Sequence, residues 1–286
     1  MKPSGESELI RNSDKVHGHY FSEDLGTKIL HALTAAGKVP DRLSFDDLVP
    51  IDEFHTRGRK ATVALAQDLR IERNMQVLDV GCGLGGAARY IANTFGCHVT
   101  GLDLSADYCR IAADLTRRLC LESLVSFQQG NATNLPFPDA SFDIVWTQHT
   151  AMNIADKPQL YQELWRVLKP GGQLAIYDIL AGTGGDIYFP VPWAREPSIS
   201  FLLTAEQLLG RLTETGFETV VWRDATESGC AWFRHLNGKI HLEGPPSFGL
   251  QLLLGDDFCA MAHNQMLNLE EDRIALIEAV VRRPNL

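Results

Sequence analysis

A doubly wound, mostly parallel α/β sheet is the fold this sequence predicts, and three observations predict it. Short apolar segments alternate with amphipathic ones between residues 76 and 180, the pattern of strands joined by helical crossovers. Phe142-Asp-Ile-Val-Trp-Thr-Gln148, read as a strand, is mostly apolar, because both faces of a parallel sheet are covered. The first such segment, Gln76 to Val80, runs into Gly81-Cys-Gly-Leu-Gly-Gly86. Glycines between a strand and a helix let backbone amides approach a nucleotide, and Gly81, Gly83 and Gly86 satisfy the dinucleotide fingerprint.

Composition sets the limits. The chain has 286 residues, 45% of them hydrophobic and 22% charged, enough for one large domain with a full core. A formal charge of −10 and a pI near 5.4 argue against nucleic acid as the partner, since that binding needs a basic face. Arg57, Arg59 and Lys60 are too few to reverse this. The six cysteines form no C-x-x-C pair, which fits a reducing compartment, and no metal is called for. The start Met1-Lys-Pro-Ser-Gly-Glu-Ser-Glu has no signal-peptide core, and no segment is apolar enough for a membrane span. The expectation is a cytoplasmic protein that does not engage membranes.

In chain order, residues 1–15 are polar and expected to fray. Val16-His-Gly-His-Tyr-Phe21 is aromatic and histidine-rich, helices are predicted over 25–36 and 56–69, and the whole of 1–75 reads as a helical lid ahead of the nucleotide domain 76–286. After the glycine loop come a helix over 87–94, strand two over 98–103, a helix over 106–119, strand three over 124–128 and strand four over 142–148. A helix over 158–168 is closed by Lys169-Pro-Gly-Gly172 before strand five, 173–180. Residues 182–203 have no period and are read as a lid insertion. Thr204 and Gln207 are spaced as a capping box for a helix to Thr215. A strand over 217–223, a mostly helical second lid segment over 229–270 and a last strand over 274–283 complete the chain.

Three ligands suit the loop: a dinucleotide, a mononucleotide or S-adenosylmethionine. Asp103 ends strand two about 20 residues beyond the loop, where nucleotide folds place an acid on the ribose hydroxyls. Asp79, just before the first glycine, has no task beside a pyrophosphate but suits an α-ammonium and a sulfonium, which favours S-adenosylmethionine. At this point the sequence resembles the class I S-adenosylmethionine-dependent methyltransferases, through Val77-Leu-Asp-Val-Gly-Cys-Gly-Leu-Gly-Gly86, Gly101-Leu-Asp-Leu-Ser105, Gly130-Asn-Ala132, Leu135-Pro-Phe-Pro-Asp-Ala-Ser-Phe-Asp143 and Arg166-Val-Leu-Lys-Pro-Gly-Gly172. It is most similar to the branch of sarcosine/dimethylglycine N-methyltransferases, tocopherol and ubiquinone/menaquinone C-methyltransferases and sugar O-methyltransferases. The resemblance implies a seven-stranded Rossmann-like sheet in the order 3-2-1-4-5-7-6 with its last strand antiparallel. It also implies cofactor contacts from Gly81, Gly83, Asp103 and Leu104, and adenine contacts from Asn131 and Ala132. Asn131 stands where the family usually carries an acid, and its side-chain oxygen can still accept from the adenine amino group.

Methyl transfer is a displacement at an already activated carbon, so the protein chiefly orients the partners. Gln148 and His149, at the end of strand four, fall beside the cofactor. His149 is the candidate general base, with packing or a cofactor hydrogen bond as its alternative role. Related chains often carry a histidine where this one has Asn153. Asp178 is a candidate acid toward the acceptor, or a partner for a lid residue. Tyr20, His55, Tyr188 and Trp193, with Phe21, Phe189, Trp232 and Phe233, are the aromatic lid residues expected around the acceptor. Arg57, Arg195 or Arg234 would hold an acceptor's carboxylate. The leading reading is N-methylation of a small glycine-type amine. C- or O-methylation of a phenol, sugar or prenyl compound is the alternative, favoured if the lid pocket is apolar and lacks an arginine. A dehydrogenase would bind nicotinamide cofactor instead, and a non-catalytic sensor would bind S-adenosylmethionine without turnover. Oligomeric state is left open, with a homodimer among the options.

Overall fold

The computed structural model describes residues 15, 16, 18–20 and 24–285; the polar start over 1–14 and the lid residue Phe21 lie outside the described residues. Ahead of the sheet the described residues include the helices α1 (Leu25–Ala35), α2 (Phe45–Asp52) and α3 (Arg59–Gln67). The helix expected from Thr56 begins only at Arg59 because Arg57 and Gly58 have φ of 68° and 48°, outside the right-handed helical region. The chain continues through β1 (Gln76–Val80), α4 (Gly86–Phe95), β2 (His98–Asp103), α5 (Ala106–Arg118), β3 (Val125–Gln129), β4 (Phe142–Gln148), α6 (Lys157–Val167) and β5 (Leu168–Ala181). It ends with α7 (Ala205–Thr215), β6 (Glu218–Asp224), α8 (Thr226–Glu243), α9 (Gln251–Leu254), α10 (Phe258–Glu270) and β7 (Ile274–Arg282). The capping box at Thr204 and Gln207 is present.

The seven strands form one sheet in the order β3-β2-β1-β4-β5-β7-β6. The strands β1 to β5 pair in parallel, and β7 runs antiparallel to both β5 and β6. Alternate residues of β1 serve opposite layers, as the period of two requires. Val77 packs with Ala61, Leu65, Ala88 and Ile91 of α3 and α4, whereas Leu78 and Val80 pack with Leu160 and Leu164 of α6 and Leu208 and Leu212 of α7. A third apolar cluster binds α1 and α2 to α5 through Ile29, Leu33, Leu48, Ile51, Ile111 and Leu115. The first helices are thus fastened beside the carboxyl end of the sheet.

One element is longer than the sequence predicts. Lys169-Pro-Gly-Gly172 does not stop the chain short of strand five but lies inside β5. Leu168 pairs with Phe142, the register shifts before Ile144, and Gly171 absorbs the irregularity at φ 78°, as a bulge in the ladder does.

Candidate active site

The carboxyl ends of β1, β2 and β4 open on a cavity of about 200 Å³, at the point where the strand order reverses and open α/β sheets bind ligands. Gly81 adopts φ 75°, and a Cβ there would collide with the side chain of Thr150. The loop therefore passes close under the β4 turn only because it lacks a side chain. The carboxylate of Asp103 anchors the loop: Oδ2 accepts from the Gly83 amide and Oδ1 from the Ser105 amide, both at 2.9 Å. Asp79 lines the same cavity, and its Oδ2 is buried without a hydrogen-bond partner. Burial first, then the charges of Asp103 and Glu53, push its pKa up to about 7. A buried acid in that state favours a cationic ligand beside it.

A second cavity of about 40 Å³ adjoins the first. Tyr20, Phe54, His55 and His149 belong to the walls of both. His149 stands just beyond β4 with φ 48°, a left-handed conformation that costs a non-glycine residue on the order of 1–3 kcal/mol. Its amide donates to the Tyr177 carbonyl at 2.7 Å. The ring lies 4.8 Å from that of Tyr177 and 5.9 Å from that of His55, centroid to centroid, and its Nε2 is buried without a partner. Burial, reinforced by His55, holds its pKa well below the ordinary imidazole value, so the ring is neutral at pH 7.

Around His55 lies a polar network. Glu53 Oε2 is 3.2 Å from His55 Nε2, and the Glu53 carboxylate also accepts from Arg59 Nε and Thr62 Oγ1. Thr62 Oγ1 also lies 3.2 Å from Gln148 Oε1, which accepts from Trp146 Nε1 at 2.9 Å. Gln148 Nε2 is left buried without a partner. Burial opposes ionisation of Glu53, but hydrogen bonding and charge from His55, with Arg59 and Thr62, outweigh it and hold the pKa at about 2.

Of the residues expected at the site, Tyr20, His55, Asp79, Gly81, Gly83, Asp103, Leu104, Asn131, Ala132, Gln148 and His149 line the first cavity. Trp193 lines the second, with Trp232 and Phe233. Four expectations need correction. Tyr188 lines neither cavity: 39% exposed, it donates to Glu271 at 3.0 Å and stacks under Arg273. Asp178 lines neither as well. It accepts from the Ile179 amide at 2.9 Å and from the amides of Ala151 and Met152, while desolvation pushes it up to about 7, so it fixes the turn after β4. The Asn131 oxygen accepts from Thr133 N and Oγ1 at 2.9 Å each, so it is not free for an adenine amino group. Finally, Arg57, Arg195 and Arg234 pair with Glu278, Asp257 and Glu270 and line neither cavity.

Three residues escaped the sequence reading. Glu53, two positions before His55, carried a faint signal as an acid in an aromatic stretch. Gln265 on α10 carried none. Asn153 was noticed only as a departure from related chains. In the structure its oxygen accepts from Tyr20 Oη at 2.8 Å, and its amide donates to the carbonyls of Trp193 and Ile199 at 2.9 Å each.

The seven-stranded order, the reversed β7 and the glycine loop anchored by Asp103 make a Rossmann-like nucleotide-binding fold. Residues 78–176 match the family model described as methyltransferase domain. It is 36% identical over 132 residues to the glycine/sarcosine/dimethylglycine N-methyltransferase of Actinopolyspora halophila, which covers 46% of this chain and 23% of that one. It is 42% identical over 173 residues to the probable chloroplastic tocopherol O-methyltransferase of Oryza sativa subsp. japonica, covering 60% of this chain and 43% of the relative. The match thus spans less than half the length of these curated relatives. Among solved structures, phosphoethanolamine N-methyltransferase 2 of Haemonchus contortus in complex with S-adenosyl-L-methionine superposes with a TM-score of 0.70 at 21% identity, over 85% of this chain and 60% of that one. Among the described residues no helix is long and apolar enough to cross a membrane.

Proposed function

We propose that the protein transfers a methyl group from S-adenosylmethionine to the oxygen or carbon of a small acceptor with an apolar body. The observation that carries this reading is the second cavity, whose walls include Trp193, Trp232, Phe233 and Phe258 and, among the described residues, no Asp, Glu, Lys or Arg. An apolar wall of this kind recognises rings and hydrocarbon, not a carboxylate. The three arginines that an amino-acid acceptor would call upon are committed elsewhere. The glycine-type amine, first choice from the sequence, retains the similarity to the N-methyltransferase as its support.

S-adenosylmethionine, when bound, supplies an electrophilic methyl on its sulfonium. The chain's contribution is to hold and orient. Asp79, with its unpartnered oxygen, would hold the ammonium of the methionine portion. Asp103, whose carboxylate holds two loop amides, would hold the ribose hydroxyls, and Asn131 and Ala132 would border the adenine. The gap between the two cavities is framed by His55 and His149, and there the unpartnered Nε2 of His149 takes the proton that an acceptor hydroxyl or carbon acid gives up. The helical segment 15–75 and the stretches 182–203 and 229–270 act as the cover of the acceptor space, which they wall through Tyr20, Trp193 and Trp232.

The test is incubation with methyl-labelled S-adenosylmethionine and a panel of phenols, prenylated phenols, glycine, sarcosine and dimethylglycine. Label on the phenolic compounds is the expected result. Label confined to the glycine derivatives would return the assignment to the amine reading, and none on any of them would favour the sensor.

A further inference from the structure

Among the described residues, Gln265 is the one side-chain amide in the wall of the second cavity. It lies on α10, is only 1% exposed, and its Oε1 is buried with no hydrogen-bond partner. In the same wall Phe233, Leu236, Phe258 and Ala262 have no side-chain donor, and Tyr20 and Trp193 already donate to Asn153 and Ser200. Elsewhere on α10, Asn268 exchanges two hydrogen bonds with the backbone of Tyr188, at 2.8 and 3.0 Å. The contrast matters, because buried amides are nearly always satisfied and an unsatisfied one costs as much as losing a hydrogen bond outright. Gln265 is also absent from the first cavity, whereas Tyr20, Phe54, His55 and His149 border both. It therefore belongs to the part of the acceptor space away from the reacting gap.

We infer that Gln265 is a specificity-determining residue: its amide hydrogen-bonds a hydroxyl or similar polar group at the far end of an otherwise apolar acceptor. The inference rests on the apolar-acceptor reading and narrows it to molecules with two polar ends, one at His149 and one at Gln265, joined by hydrocarbon. A site built around such a hydrogen bond rejects the analogue that lacks the group, because rejection leaves the protein's own polar atom unpaired.

The experiment uses the full chain saturated with S-adenosylhomocysteine and two probes that differ by one oxygen, 4-propylphenol and 4-(3-hydroxypropyl)phenol. Calorimetry is expected to show the hydroxylated probe binding about tenfold more tightly to the wild type, the effect of one buried hydrogen bond. In Gln265→Met, which keeps length and shape, that preference should vanish while 4-propylphenol binds as well or better. Gln265→Asn retracts the amide by one methylene and should move the preference to 4-(4-hydroxybutyl)phenol, so the idea stays testable if the methionine variant does not fold. Equal preference in wild type and both variants overturns the role of Gln265 and leaves the apolar-acceptor reading standing. Failure of every probe to bind the wild type overturns that reading, and the inference with it.

Discussion

Nε2 of His55 lies 3.2 Å from Oε2 of Glu53, and the histidine so held forms part of the wall common to both cavities. Glu53 is ionised despite its burial because His55, Arg59 and Thr62 all face it. Removing its charge in Glu53→Gln leaves Arg59 and His55 without their anion, and breaking a buried pair from one side costs about 3 kcal/mol or more. Denaturant unfolding at pH 7 should register that loss. The sign with pH follows from the depressed folded-state pKa of about 2 against the ordinary 4.5. The stabilisation is present above pH 4.5, is lost as pH falls toward 2, and is missing from the variant throughout. A variant as stable as the wild type at pH 7 would mean the network is ornamental.

If Asp79 holds the cofactor's ammonium, ligand binding should depend on pH. Its pKa of about 7 keeps much of it protonated in the free protein below neutrality, and a bound ammonium pulls that value down. Binding therefore releases a proton. The affinity for S-adenosylhomocysteine, which carries the ammonium, should rise by up to about tenfold per pH unit below neutrality and level off above it. Asp79→Asn should flatten the curve. Calorimetry in buffers of different ionisation enthalpy reads the released proton directly, and zero release at pH 6 would remove Asp79 from the ammonium site.

If His149 takes the acceptor's proton, His149→Ala should lower kcat by roughly 100-fold or more while leaving S-adenosylhomocysteine affinity within about twofold. With the methyl donor saturating, the acid limb of kcat in the wild type should fall well below pH 6.5, since burial depresses the imidazole. An equal loss of binding and turnover in the variant would point to a packing role.

Asn153 joins three segments that are distant in sequence: Tyr20, the turn after β4, and the stretch holding Trp193 and Ile199. Asn153→Ala should cost about 2–4 kcal/mol, because two carbonyls and a phenol lose their partner. Asn153→His should not restore the loss, for an imidazole cannot donate twice and accept once. Thermal unfolding of the three proteins side by side decides the matter, and recovery by histidine would show that the three-way contact is dispensable.

Most of the sheet and the nucleotide side of the site were legible in the sequence because both are local. The central strands announce themselves by mostly apolar segments between glycines and helical patterns, and Asp79, the glycines and Asp103 lie within one β-α-β unit. The acceptor side was not legible for the opposite reason. Whether Tyr188 points inward depends on Glu271 and Arg273, more than 80 residues away, and Arg57 is removed from the site by Glu278, 221 residues on. Asp178 reads from sequence as a strand-end acid like Asp103. Only the fold shows that the amides after β4 occupy it. Gln265 sits among residues that look like one more helical face, and nothing in their spacing marks it.

The order of the strands also bears on how the chain is built. Within the sheet β6 has β7 as its only neighbour, and β7 separates it from β5 along nine paired residues. Once β5 has been synthesised, every parallel pairing among β1 to β5 can be made. By contrast, β6 leaves the ribosome with nowhere to dock and must wait while about 50 further residues follow. The walls contributed by α8 and α10 are translated in that interval. The acceptor pocket is therefore the last part of the molecule to take shape, after the nucleotide half can already stand.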